Sequence, residues 1–133
     1  MITDDFCSFE VAKLLKEKGF DESTSMVYMS YGDLCKLNRY DSIRNSNYND
    51  ITKNYFEYTA PTHQMAMKWL REMHNIFIVI EPHIYDYINE KNSSYVITLW
   101  QGDNYYENVT SKDYLTYEEA VEAALKYSLE NLI

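Results

Sequence analysis

The residues best equipped for chemistry in this 133-residue chain are two cysteines, three histidines and 21 carboxylates. Cys7 and Cys35 could supply a nucleophile, and His63, His74 and His83 a base. Their order and spacing match no nucleophile motif, and neither G-x-S-x-G nor H-E-x-x-H occurs. The cysteines lie far apart, form no CxxC pair and read as free, partly buried thiols of a reducing compartment. Two E-x-H pairs, Glu72 with His74 and Glu81 with His83, could ligate a metal. A strand would put Glu81 and His83 on one face, but Pro82 stands between them. Zinc sites need three or four converging ligands, so neither pair predicts one. The three glycines, Gly19, Gly32 and Gly102, form no phosphate-cradling loop. Acids this numerous offer pairs everywhere, and spacing marks out none. The expectation is a protein that is not an enzyme, with no catalytic residue, no metal and no cofactor.

The aromatics point elsewhere. The chain has 14 Tyr against 5 Phe and 2 Trp. Tyrosine is favoured where one end of a side chain is buried and the other is wet. Tyr85 and Tyr87 alternate with Ile84 and Ile88, so a regular strand puts them on the face opposite the isoleucines. Tyr95 and Trp100 fall on opposite faces of the next strand. Two roles are open: cross-strand aromatic pairs that stiffen a sheet, or a contact surface on its open face. A second candidate surface is the polar segment Asn38–Asn54, read as a mobile loop and carrying Arg39, Tyr40, Arg44 and Tyr48. Together with Tyr85 and Tyr87 these are the candidate binding residues.

Charge narrows the partner. The formal net charge is −9, and residues 83–133 hold only 3 basic groups against 9 acidic ones. Direct nucleic-acid binding would need a basic patch to release counterions, so it is not expected. A protein partner fits better, and self-association is allowed. A small nucleotide is the alternative ligand; Lys36, Arg39, Arg44 and Lys53 are the groups available for its phosphates. No apolar run approaches the roughly 18–20 residues of a membrane helix. Met1–Asp5 is acidic where a secretion signal would be basic. A cytoplasmic location follows as the expectation.

The elements that must position these residues are legible by periodicity. Ser8–Lys18 reads as a helix capped by Ser8 and stopped by Gly19. Met26–Tyr31, Leu34–Leu37 and Tyr55–Tyr58 read as strands. A second helix starts at Pro61–Thr62, carries a stripe of Met65, Ala66, Trp69, Leu70 and Met73, and ends at His74–Asn75. Ile76–Glu81 is a strand, Pro82 marks an edge or a bulge, and His83–Ile88 resumes the strand. Asn89–Ser93 reads as a loop, Ser94–Trp100 as the return strand and Tyr105–Val109 as a further strand. Thr116-Tyr117-Glu118-Glu119 is a capping box opening a last helix to about Asn131. This order predicts a single α+β domain over residues 1–133, one antiparallel sheet with about three helices packed mainly on one face.

Three stretches carry a resemblance: Cys7–Phe20, Ala60–Glu72, and Thr116–Ala120 with Ala124-Leu125 and Leu132-Ile133. Together they resemble uncharacterised small proteins of gut Bacteroides-type bacteria and of their phages and prophages. That resemblance implies a mobile-element setting and carries no functional residue across. More weakly, residues 76–133 are similar to the HicB-type antitoxin core, three strands followed by Thr-Tyr-Glu-Glu-Ala opening a helix. The DNA-binding appendage of those antitoxins is not visible, and the likeness implies a fold only.

Overall fold

The computed structural model describes residues 1–29, 32–36, 49–50, 55–87 and 90–133, with backbone alone at 36, 49–50, 55–57, 84–87 and 90–93. Most of Asn38–Asn54, including Arg39, Tyr40, Arg44 and Tyr48, lies outside the described residues. The chain divides into two compact units, Met1–Ala66 and Met67–Ile133.

In the first unit, helix α1 spans Phe9–Glu17. The Ser8 side chain accepts the Val11 N–H at 3.2 Å, as the sequence predicts for an N-cap. At the other end Gly19 has φ +96° and the Phe20 N–H closes onto the Leu15 carbonyl at 2.9 Å, burying Phe20. A Cβ at Gly19 would meet nothing within 4 Å, so only the backbone objects to a side chain there. Gly19→Ala should therefore cost about 1 kcal/mol, read by urea unfolding; no loss would mean that the turn is not the helix stop.

The strands of this unit are β1 (Met26–Met29), β2 (Leu34–Lys36), β3 (Asn49–Asp50) and β4 (Tyr55–Thr59). They form an antiparallel sheet in the order β2-β1-β4-β3, with the two-residue β3 on the outer side of β4. Helix α1 packs on β4, and Ala12, Tyr28 and Ala60 form a core with Phe9, Met26 and Tyr58 around it. Phe9 meets Tyr28 and Tyr58 edge-on, each at 5.5 Å between ring centroids. The buried Tyr28 hydroxyl donates to the Cys7 carbonyl at 2.7 Å.

Helix α2 runs from His63 to His74. Asn75 follows at φ +56°, a left-handed position that asparagine tolerates, and the chain turns straight into the second sheet. Strands β5 (Ile76–Tyr87), β6 (Glu90–Gln101) and β7 (Asn104–Glu107) pair antiparallel in that order. Helix α3, Tyr117–Asn131, packs on β5 and β6. The Thr116 hydroxyl accepts the Glu119 N–H at 3.1 Å, the expected cap.

The single sheet expected from the sequence is thus corrected to two, and the helices do not share one sheet face. The α+β class stands, with three helices among the described residues. The reason is local: β5, β6 and β7 pair in chain order through short connections, while β4 already has β1 and β3 as neighbours. The loop expected at Asn89–Ser93 is also corrected, because β6 begins at Glu90 and the ladder pairs Tyr87 with Glu90. Register set by the apolar end carries pairing into polar residues that have no strand propensity of their own. Pro82 sits in register opposite Tyr95 on β5, an edge strand of its sheet, where its missing N–H costs no ladder bond.

Candidate binding face on the second sheet

Directly paired residues in an antiparallel sheet share a face, so the register sorts the side chains of β5, β6 and β7. Ile76, Ile78, Ile80, Ile97, Leu99 and Tyr106 fall on one side. That side carries the core, Ile97 and Leu99 against Ala120 and Ala124 of α3, with Ile78, Ile80, Tyr95 and Tyr106 packed around them. The stripe of small residues on α3 lets the helix axis approach the sheet closely. Gln101 donates from Nε2 to the Leu132 carbonyl at 2.8 Å and ties the end of α3 to the same side.

The opposite side is the open one. Phe77 pairs with Trp100, and Trp100 pairs with Tyr105, so three aromatics stand in one row across all three strands. They are 43%, 42% and 49% exposed, and Val79 beside them is 41% exposed. The Trp100 and Tyr105 rings lie 4.7 Å apart at 48°. One step along the strands the face changes character. Val79, Thr98 and Glu107 form the next row, then Glu81 with Val96, then His83 with Ser94.

The segment after β7 builds a wall over this second part. Tyr114 and Tyr95 exchange both backbone hydrogen bonds, at 2.8 and 2.9 Å, and hold the segment against β6. The Ser94 hydroxyl donates to Asp113 Oδ2 at 3.1 Å. Asn108 and Ser111 have φ +45° and +52°, and the Ser111 N–H bonds the Asn108 carbonyl at 2.9 Å, so the segment bends sharply between them. Wall and sheet enclose a cleft of about 500 Å³, lined by Glu81, His83, Val96, Thr98, Glu107, Asn108, Ser111 and Asp113. Val96 and Thr98 form its buried floor. Three carboxylates line the cleft, and no Lys or Arg is among these residues.

The structure deals unevenly with the residues singled out from the sequence. Tyr85 and Tyr87 lie in β5 opposite Asn92 and Glu90, and their side chains are outside the described residues. Arg39, Tyr40, Arg44 and Tyr48 are outside them altogether, as are Lys53 and the side chain of Lys36. Glu81 and His83 do share a face, because β5 runs through Pro82 without a break. Cys35 is a half-buried free thiol in β2. Cys7 and His63, distant in sequence, have ligand atoms within 4.8 Å of one another. The chain pairs Phe6 with Thr62, and the Cys7 N–H bonds the Pro61 carbonyl at 2.9 Å, which brings the two side chains together. Both are buried, and the Cys7 thiol points to the Thr62 carbonyl at 3.9 Å.

Phe77, Tyr105, Glu107 and Asp113 were not singled out from the sequence. Phe77 stands in the unbroken apolar run Ile76–Ile80, which hides the alternation. Its membership of an aromatic row depends on the pairing with Trp100, and a register is not readable from one strand.

Compared with known proteins, the chain matches no family model, no curated protein and no solved structure. Among the described residues no helix is long and apolar enough to cross a membrane.

Proposed function

We propose that this chain is a non-enzymatic protein-binding module and that the open face of the β5-β6-β7 sheet receives the partner. The observation that carries this reading is the row Phe77–Trp100–Tyr105, three large aromatics left exposed side by side on the face away from α3. Contiguous exposed apolar area on a soluble fold marks interaction sites, and Trp and Tyr are the residues that most often dominate binding energy. The resemblance to phage and prophage proteins supports placing the module among accessory proteins that act on a host or phage protein in the host cytoplasm. The nucleotide alternative has no comparable observation behind it, since Arg39, Arg44, Lys53 and the side chain of Lys36, the groups named for its phosphates, lie outside the described residues.

The test is affinity capture from a bacterial host lysate with the wild-type chain and its Trp100→Ala variant as parallel baits. A protein retained by the wild type and absent from the variant is the expected result. Identical retention on both baits would remove the reading.

A further inference from the structure

The aromatic row and the cleft lie on one face and share strand β6, with Trp100 in the row and Thr98 in the cleft floor. Same-face neighbours on a strand are about 7 Å apart, and an extended peptide repeats its own side chains at the same spacing. A ligand laid along β6 would therefore set one side chain on the aromatic row and the side chain two residues away in the cleft. Row and cleft ask for different chemistry. The row offers apolar area and ring faces. The cleft offers Glu81, Glu107 and Asp113, with Asn108, Ser111 and Thr98 as further oxygen acceptors, and no Lys or Arg among its lining residues.

A planar cation with several donors suits that set better than a compact ammonium. A guanidinium carries five N–H donors in a fixed fork, matches carboxylates and stacks on aromatic faces. The wall also fixes one of the acceptors: Asp113 is held by the Ser94 hydroxyl at 3.1 Å, and the segment bearing it is clamped by the Tyr95–Tyr114 pair. We infer that the partner segment is an extended peptide with an apolar residue followed two positions later by arginine, the apolar side chain on Phe77 and Trp100 and the guanidinium in the Glu81–Glu107–Asp113 cleft. The inference rests on the protein-binding reading and names the chemistry of its partner.

The chain reports on this directly. Of its two tryptophans, Trp69 is 8% exposed and Trp100 42%, so a ligand on the face shifts the Trp100 emission. The probe is acetyl-Gly-Leu-Gly-Arg-Gly-amide, titrated into the full chain and followed by tryptophan fluorescence. Its comparators replace Arg by citrulline, which keeps the shape without the charge, or move Arg next to Leu. Saturable binding by the Leu-x-Arg peptide is expected. Loss of about tenfold in affinity should follow for the citrulline peptide and for Glu107→Gln and Glu81→Gln, the weight of one charge-assisted hydrogen bond. Equal binding of the arginine and citrulline peptides would overturn the inference. So would a Trp100 shift that tracks protein concentration without peptide, which would give the face to a second copy of the chain. Failure of the peptide alongside Trp100-dependent capture of a host protein defeats the arginine proposal alone. Failure of both experiments defeats the binding reading itself.

Discussion

Leu99→Ala should destabilise the second unit by about 2–5 kcal/mol. Leu99 is fully buried in β6, paired with Ile78 on one side and Tyr106 on the other, and covered by Ala120 and Ala124 of α3. Truncation removes the transfer free energy of the lost carbons and leaves a cavity. The cavity closes only in part, because Ala120 and Ala124 have no longer side chain to swing in and the strand is fixed by ladders on both edges, which leaves only a shift of neighbours such as Tyr106 and Tyr127 to fill it. A loss of that size lowers the melting temperature by roughly 10 °C or more in a unit of this length. Thermal unfolding followed by circular dichroism checks it. A loss below about 1 kcal/mol would mean that α3 is not seated on this side of the sheet. The same variant, at a temperature where it remains folded, should bind the partner with wild-type affinity, since Leu99 has no atom on the open face.

How much of this was readable beforehand depends on the range over which each signal acts. Ser8, Gly19 and Thr116 act within four residues of themselves, and the helix ends they predict fall where the structure has them. The alternation that sets Tyr95 and Trp100 on opposite faces is also local, and it holds. Sheet membership is not local. Tyr55–Tyr58 and Ile76–Ile80 look like neighbours of one sheet from composition, yet β4 and β5 belong to different sheets: β4 lies between β1 and β3, while β5 pairs with β6. The polar stretch Glu90–Ser93 has a turn composition and is nonetheless strand, pulled into register by the apolar pairs further down the hairpin.

The candidate site illustrates the same divide. An open face carrying aromatics was expected from the alternation around Tyr85 and Tyr87. What the sequence could not supply was which aromatics meet across strands, and that is the property that turns Phe77, Trp100 and Tyr105 into a surface. The cleft is further removed from sequence logic. It depends on a bend at Asn108 and Ser111, both at positive φ, that folds Asp113 over β6. Asparagine tolerates such a backbone without requiring it, and Ser111 is not of a type that announces the bend as glycine would.

Trp100→Ala is the counterpart of Leu99→Ala, one residue along the same strand and opposite in consequence. It should lower partner affinity by about a hundredfold, the scale of a central aromatic hot spot of roughly 2–4 kcal/mol. Its stability cost should be near 1 kcal/mol, since the ring is 42% exposed and loses chiefly its contact with Tyr105 at 4.7 Å. The pair separates the two sides of the sheet. If the open side were merely a stiffening patch, Trp100→Ala would cost stability and leave capture from the lysate unchanged. If it is the binding face, isothermal titration against the captured partner shows the affinity loss while the melting curve moves by only a few degrees. Leu99→Ala must show the reverse. A single variant losing both or neither would be ambiguous between misfolding and irrelevance, whereas two adjacent residues with opposite outcomes admit only an assignment by face.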